Sequence, residues 1–331
     1  MPVLSENKLV RLLRERFGRT AAGLKKGIGD DAAVIRPKGA AELWVITTDM
    51  LQEDVDFRRG WLTPEQLGHK SLAANLSDLA AMGARPRFYT VALAIPAGTS
   101  ENWISRYYEG MTRLGNTSGA VLIGGDLSRS SAGIQICIAA LGESLGRKLV
   151  YRSGGRIGDA VYVTGVLGKS AAGLELLENG CRRGRTEDQR LALDAHRTPQ
   201  PRCGVGLWLA QRGFANSMMD LSDGLSVDLP RLCVASGVGA EIDSQQVPVF
   251  AGCTAWNCDP RELALHGGED FELLFTSPKR KLAALEASYP RRFPRLTRIG
   301  KLTGDASVIG MRSPGKNMKL LPQRGFDHFR N

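Results

Sequence analysis

Apolar runs that end in polar or acidic residues recur through the first half of the chain. Trp44 to Ile46 leads into Thr47-Thr48-Asp49. Phe88 to Ile95 alternates and stops at Pro96. Val121 to Ile123 leads into Gly124-Gly125-Asp126, and Ile134 to Leu141 is a further β-rich run. Each predicts a strand. Between them, Pro64 to Met82 and Glu101 to Leu114 read as helices. Strands interleaved with helices predict a mixed α/β or α+β domain. At the N-terminus, Leu9, Leu12, Leu13 and Phe17 recur at helical spacing among charged residues, with Ser5 as N-cap. That pattern is not the apolar core of a signal peptide, and no stretch approaches the ~18 apolar residues of a membrane span. A cytoplasmic, membrane-free protein is expected.

Near residue 150 the chain changes character. The turn-rich Arg152-Ser153-Gly154-Gly155-Arg156-Ile157-Gly158-Asp159 precedes the strand-like Ala160 to Thr164. Two domains are expected, 1–149 and 150–331. Beyond a helix at Ser170 to Leu177, residues 179–201 are charged, carry Pro199 and Pro201, and are expected to include an exposed loop. An Asp-rich turn follows at 220–228 and a Gly-Gly-acid turn at 267–270. Gly124-Gly125-Asp126 and Gly267-Gly268-Glu269 look like analogous devices in the two halves.

Composition narrows the class. A length of 331 residues suits two domains, and 43% hydrophobic with 24% charged residues excludes wholesale disorder. Six cysteines without C-x-x-C and four scattered histidines argue against zinc or a disulfide framework. The net charge is +10, with basic clusters at 182–185, 279–281 and 291–298. Those clusters read as solvated loops and helix ends rather than a nucleic-acid surface, and the excess charge favours encounter with small anions.

Five acidic turns stand out: Gly29-Asp30-Asp31, Thr47-Thr48-Asp49, Asn75-Leu76-Ser77-Asp78, Gly124-Gly125-Asp126 and Asp220-Leu221-Ser222-Asp223-Gly224. Singly, each is an ordinary cap or turn. Together they suggest hard cations, which take carboxylate and phosphate oxygens, because converging carboxylates repel without metal among them. Gly165-Val166-Leu167-Gly168-Lys169-Ser170 ends like a phosphate-binding G-x-x-x-x-G-K-[ST] loop, but its first glycine would fall at Val163. The segment is a helix entry, not that loop. Protein-kinase signatures are missing as well.

Read in order, Gly27 to Ala33, Asn75 to Ala84, Asp220 to Leu225 and Gly267-Gly268-Glu269-Asp270-Phe271-Glu272-Leu273 resemble the PurM-like ATP-binding superfamily. Within it they resemble the thiamine-monophosphate kinases. The resemblance implies an N-terminal domain that dimerises through its sheet, a C-terminal AIR synthase-like α/β domain and an active site between them. It implies several Mg²⁺ ions held by Asp31, Thr47, Thr48, Asp49, Asp78, Asp126, Asp220 and Asp223. It further implies ATP contacts from Tyr108, Gly125, Asp126, Arg152 and Ser222, and a thiamine pocket lined by Glu269 and Phe326. Asp49, Asp126 and Arg152 are the catalytic candidates. The chain departs from the family where a segment like G-x-H-F is usual, carrying Asp54-Val55-Asp56-Phe57 instead, so Asp56 joins the substrate-side candidates. The implied reaction is in-line phosphoryl transfer from ATP to thiamine monophosphate in a homodimer, with no nucleic-acid partner. The competing readings are a PurM-like enzyme with another acceptor and a non-catalytic nucleotide- or metal-binding protein.

Overall fold

The structure, a computed structural model, describes residues 6–17, 21–146, 148–313, 315, 317–322 and 324–328. The first half runs α1 (Glu6–Phe17), β1 (Leu24–Lys26), β2 (Ala33–Ile35), β3 (Trp44–Gln52), α2 (Pro64–Ala81), β4 (Arg85–Pro96), α3 (Glu101–Ser118), β5 (Val121–Ser130) and β6 (Gln135–Glu143). The second runs β7 (Ala160–Thr164), α4 (Lys169–Glu178), α5 (Glu187–Arg197), α6 (Cys203–Arg212), β8 (Ser217–Asp220), α7 (Leu225–Ser236), β9 (Gly239–Asp243), α8 (Pro260–His266), β10 (Leu273–Ser277), α9 (Leu282–Ser288), β11 (Leu296–Thr303), β12 (Ile309–Arg312) and β13 (Lys319–Leu320). The expected N-cap of α1, Ser5, lies outside the described residues.

The first sheet has six strands in the order β1-β2-β3-β6-β4-β5, and the second has seven in the order β13-β12-β9-β11-β7-β10-β8. Their sequence patterns differ for a physical reason. In β6 every second residue is buried, because helices cover only one face of the six-stranded sheet. In β7, β8 and β10 every residue is buried, since apolar clusters lie on both faces of the seven-stranded sheet. Two mixed sheets, each with helices packed against it, give a two-domain α/β architecture.

Helix α2 joins the halves. It opens with a capping box in which Thr63 Oγ1 accepts from Gln66 N and Gln66 Oε1 accepts from Thr63 N, with Pro64 at the first turn. Leu67, Leu72, Leu76 and Leu79 are fully buried, each contributing roughly 1.5–3 kcal/mol. Its backbone meets neighbours at close range. A Cβ on Gly68 or Gly110 would strike α3 or α2 backbone, Tyr107 O or Glu65 O, at 1.9 Å, and one on Gly206 of α6 would strike Ala80 O at the same distance. Only glycine fits at these three positions.

Several expectations need correction here. Thr47-Thr48-Asp49 and Gly124-Gly125-Asp126 are strand interior rather than turns, since β3 and β5 run on to Gln52 and Ser130. The small residues are tolerated because neighbouring ladders continue past them: Asp49 pairs with Ile138, and Gly125 packs against Val91 so closely that a Cβ would meet Val91 O at 2.0 Å. Gly267-Gly268-Glu269 is irregular chain, so the two Gly-Gly-acid segments are not analogous. Asn75 to Asp78 is the interior of α2. The segment 179–201 does include an exposed loop, at 179–186, and then forms α5, which carries its own Thr186–Gln189 capping box.

Candidate active site

Four buried or half-buried acids converge where α2 meets the second sheet. Asp31 follows a bend between β1 and β2, Asp49 lies in β3, Asp78 in the last turn of α2, and Asp220 at the end of β8. Oxygens of Asp31, Asp78 and Asp220 lie within 4.8 Å of one another. Ser77 Oγ donates to Asp220 Oδ2 at 2.6 Å across the two halves, and Thr47 Oγ1 donates to Asp78. Arg152 Nη2 donates to Asp31 Oδ1 at 2.8 Å, and the Arg152 backbone N–H donates to Asp30 Oδ1 at 3.1 Å. Lys26 meets the other oxygen of Asp30 at 2.8 Å.

One guanidinium does not balance this charge. Burial raises Asp49 to about 6, with Asp223 and Asp56 pushing the same way against a hydrogen bond from Asp78. Burial and then Asp31 raise Asp220 to about 7. Asp78 is held well above the carboxylate range by burial and by Asp49, Asp220 and Asp31. Asp31 Oδ2 and Asp49 Oδ2 are buried without a hydrogen-bond partner. Buried acceptors left open among mutually repelling carboxylates fit an all-oxygen site for a hard divalent cation.

Beside the cluster opens a cavity of about 520 Å³, lined by Asp49, Asp56, Lys70, His196, Ser222, Asp223, Glu269 and Phe326 among others. Glu269 adopts a left-handed backbone (φ 63°), uncommon for a residue with a side chain. The conformation is held by Glu269 N–H donating to Ser222 O at 2.7 Å and by Lys70 Nζ at 2.7 Å from Glu269 Oε1. Lys70 also donates to His196 O at 3.2 Å. Burial would raise Glu269, but the Lys70 ammonium outweighs it and keeps the group below its usual range. Burial and Lys70 depress His196 to about 3, so its ring is neutral. Asp56 Oδ2 accepts from Gln52 N at 2.7 Å, and Phe326, 46% exposed, packs edge-on to His328.

The remaining sequence candidates divide by strand geometry. Successive strand residues face opposite sides, so Thr47, Thr48 and Asp49 cannot all point inward. Thr48 faces the outer side of the sheet, where its hydroxyl donates to Ile138 O at 3.0 Å. Register links Asp49, Ile138, Val91 and Gly125 in one row, and Met50, Cys137, Ala92 and Asp126 in the next. Gly125 therefore lies roughly 14 Å from Asp49, three strand spacings away, and Asp126 is exposed in the outward row. Tyr108 is half-buried on α3, edge-on to Tyr107 at 5.3 Å. Asp223 is paired with Arg231 and lines the cavity edge.

Several site residues escaped the sequence reading. Lys70 precedes Asp78 by two helical turns on α2, a spacing that could have flagged it. His196 had no such signal. Asp228 proves to be a structural cap, accepting from Asp223 N and Gly224 N at 3.1 Å each. Asp270 accepts from Gly168 N at 2.6 Å and Ser170 N at 3.2 Å, filling the donor-rich entry of α4 with a carboxylate of the chain itself.

Comparison with known proteins converges on one family. Residues 29–144 match the AIR synthase related protein, N-terminal domain, and residues 156–311 its C-terminal domain. The chain is 36% identical over 327 residues to thiamine-monophosphate kinase of Escherichia coli (strain K12), covering 98% of both chains. It is 33% identical to the enzyme of the same name from Bacillus subtilis (strain 168), covering 92% of this chain and 93% of that one. The solved structure of AaThiL complexed with AMPPCP and TMP superimposes with a TM-score of 0.85 at 32% identity, covering 99% of this chain and 98% of that one. On the strength of full-length identity and a shared two-domain architecture, this chain belongs to the thiamine-monophosphate kinase family.

Proposed function

We propose that this protein transfers the terminal phosphoryl group of ATP to thiamine monophosphate, giving thiamine diphosphate and ADP. The observation that carries the reading is the convergence of Asp31, Asp49, Asp78 and Asp220 from both halves, with two open buried oxygens, beside a cavity that holds Lys70 and Glu269. Family membership supports the same reaction. Those four acids would hold magnesium, which when bound supplies charge neutralisation between two anionic reactants.

The chain's own groups do the positioning. Arg152 is fixed by Asp31 and Asp30, and its Nε–H is buried without a partner, so a donor is available for a phosphate oxygen. The acceptor is a phosphate monoester whose second pKa is about 6, already largely dianionic near neutrality. No strong general base is required, and alignment and shielding carry the rate. Glu269 and Asp56 place carboxylates beside the cavity and Phe326 a ring face, a set suited to a cationic thiazolium. Tyr108, Gly125, Ser222 and Asp223 are assigned to the nucleotide and metal end. Thr48 and Asp126 enter through the resemblance alone. Asp126→Ala with unchanged turnover would remove that residue from the site.

We place the domain division at 149/150 and propose a homodimer formed through the open side and edge of the six-stranded sheet. Met50, Val121 and Ile123 are 55–57% exposed there. No described helix is long and apolar enough to cross a membrane. The decisive assay is magnesium-dependent conversion of thiamine monophosphate by the purified protein, with thiamine as control acceptor. Equal turnover of both, or ADP release without thiamine diphosphate, would overturn the assignment.

A further inference from the structure

The basic cluster at 291–298 has no part in the proposed reaction, yet it lines a second cavity of about 400 Å³. This cavity shares no lining residue with the one beside the acid cluster. Its floor is the buried Tyr162 ring, stacked on Phe275 at 5.4 Å, and one wall is Tyr289 and Phe293, edge-to-face at 5.7 Å. Arg291, Arg295 and Arg298 stand around it, Arg298 directly across the strand pair from Tyr162.

Two features are out of balance for a merely structural hollow. Arg85, Arg106, Arg152, Arg202 and Arg231 each meet a carboxylate, whereas none of these three guanidiniums does among the described residues. The one lining carboxylate, Glu286, already accepts from Tyr162 Oη at 2.6 Å. In addition, the Tyr289 hydroxyl is buried without a hydrogen-bond partner. Three like charges around one concavity repel each other, and an anion seated among them relieves that cost while taking up their donors. Flat aromatic walls favour a planar ring, and the volume is within the range of small-molecule pockets.

We propose that this cavity is a second, non-catalytic binding site for a phosphorylated aromatic molecule of mononucleotide size. Its ring system lies against Tyr289 and Phe293, and its phosphate meets Arg291, Arg295 and Arg298. The site is independent of the kinase reading, because nothing in its argument uses the acid cluster.

The test is calorimetric titration of the full chain with ADP in EDTA, which keeps magnesium from the acid cluster. Binding is expected in wild type, to weaken about tenfold or more in Arg295→Ala/Arg298→Ala and several-fold in Tyr289→Phe, which keeps the ring. Both variants are expected to retain wild-type magnesium-dependent turnover at saturating substrates and a cooperative unfolding transition. Absence of binding tighter than ~1 mM in wild type would overturn the proposal. So would equal ADP affinity in wild type and the double variant. Binding of single-stranded RNA through the same arginines, uncontested by ADP, would assign the surface to a polyanion instead.

Discussion

Asp78→Asn separates a metal-binding acid from a structural one. Asp78 shares a space with Asp31 and Asp220 in which oxygens lie within 4.8 Å of one another. At an effective dielectric constant of ~20, two ionised carboxylates at that separation repel by roughly 3 kcal/mol. The fold avoids most of this by retaining protons, as the upward displacement of Asp78, Asp49 and Asp220 indicates. Neutralising Asp78 with a side chain of equal size keeps an oxygen for the Thr47 hydroxyl and removes its share of the repulsion. In EDTA at pH 8 the variant is therefore expected to be more stable than wild type by about 1–3 kcal/mol. Magnesium should then stabilise wild type and leave the variant nearly unmoved, and turnover should be lost. Urea unfolding with and without magnesium reads all three quantities. A variant destabilised in EDTA, or one that magnesium stabilises as much as wild type, would refute the reasoning.

Linkage gives the same cluster a pH signature. Its carboxyls have folded-state pKa values raised above the unfolded value, so the folded chain binds more protons and metal-free stability falls as pH rises from about 4 to about 7. Urea midpoints across that range should decline in EDTA and flatten with magnesium. A rising midpoint would count against the assignment. Lys70→Met breaks an ion pair in which Lys70 is 1% and Glu269 32% exposed, at a cost of about 3 kcal/mol, the low end because water reaches Glu269. Lys70→Met/Glu269→Gln should recover part of that loss, and both should raise KM for thiamine monophosphate more than KM for ATP. Additive stabilities would show the pair is uncoupled. Asp270→Ala removes the carboxylate at the entry of α4 and should cost about 1–2 kcal/mol in unfolding assays, with no change in magnesium affinity.

Much of the architecture was legible from periodicity. Strands with one covered face alternate, so β4 and β6 could be traced from Phe88 to Ile95 and from Ile134 to Leu141, and the long helices α2 and α3 were found within a few residues. Local chemistry misled where small polar residues sit inside a ladder: Thr47 to Asp49 and Gly124 to Asp126 carry turn-like composition, yet strand pairing overrides it. Helix α5 was hidden by its charge, although Thr186 and Gln189 announce its start. The meeting of Ser77 with Asp220 spans 143 positions, and no periodicity encodes such a contact. Motif order pointed to the acids, while the partition between Asp49, facing inward, and Thr48 and Asp126, facing out, required strand register.

The glycine contacts at 68, 110 and 206 bear on how the cleft admits its reactants. Backbone seated on backbone leaves no side-chain layer to slide, so α2 is locked to α3 on one flank and to α6 on the other. The helix that carries Lys70, Ser77 and Asp78 thus works as an anvil common to both sheets rather than as a hinge. Passage of substrate and product falls to the other lining segments, the Asp54–Arg58 turn and the Arg324–His328 segment, which approach each other where His328 Nε2 lies 4.0 Å from Asp56 Oδ1.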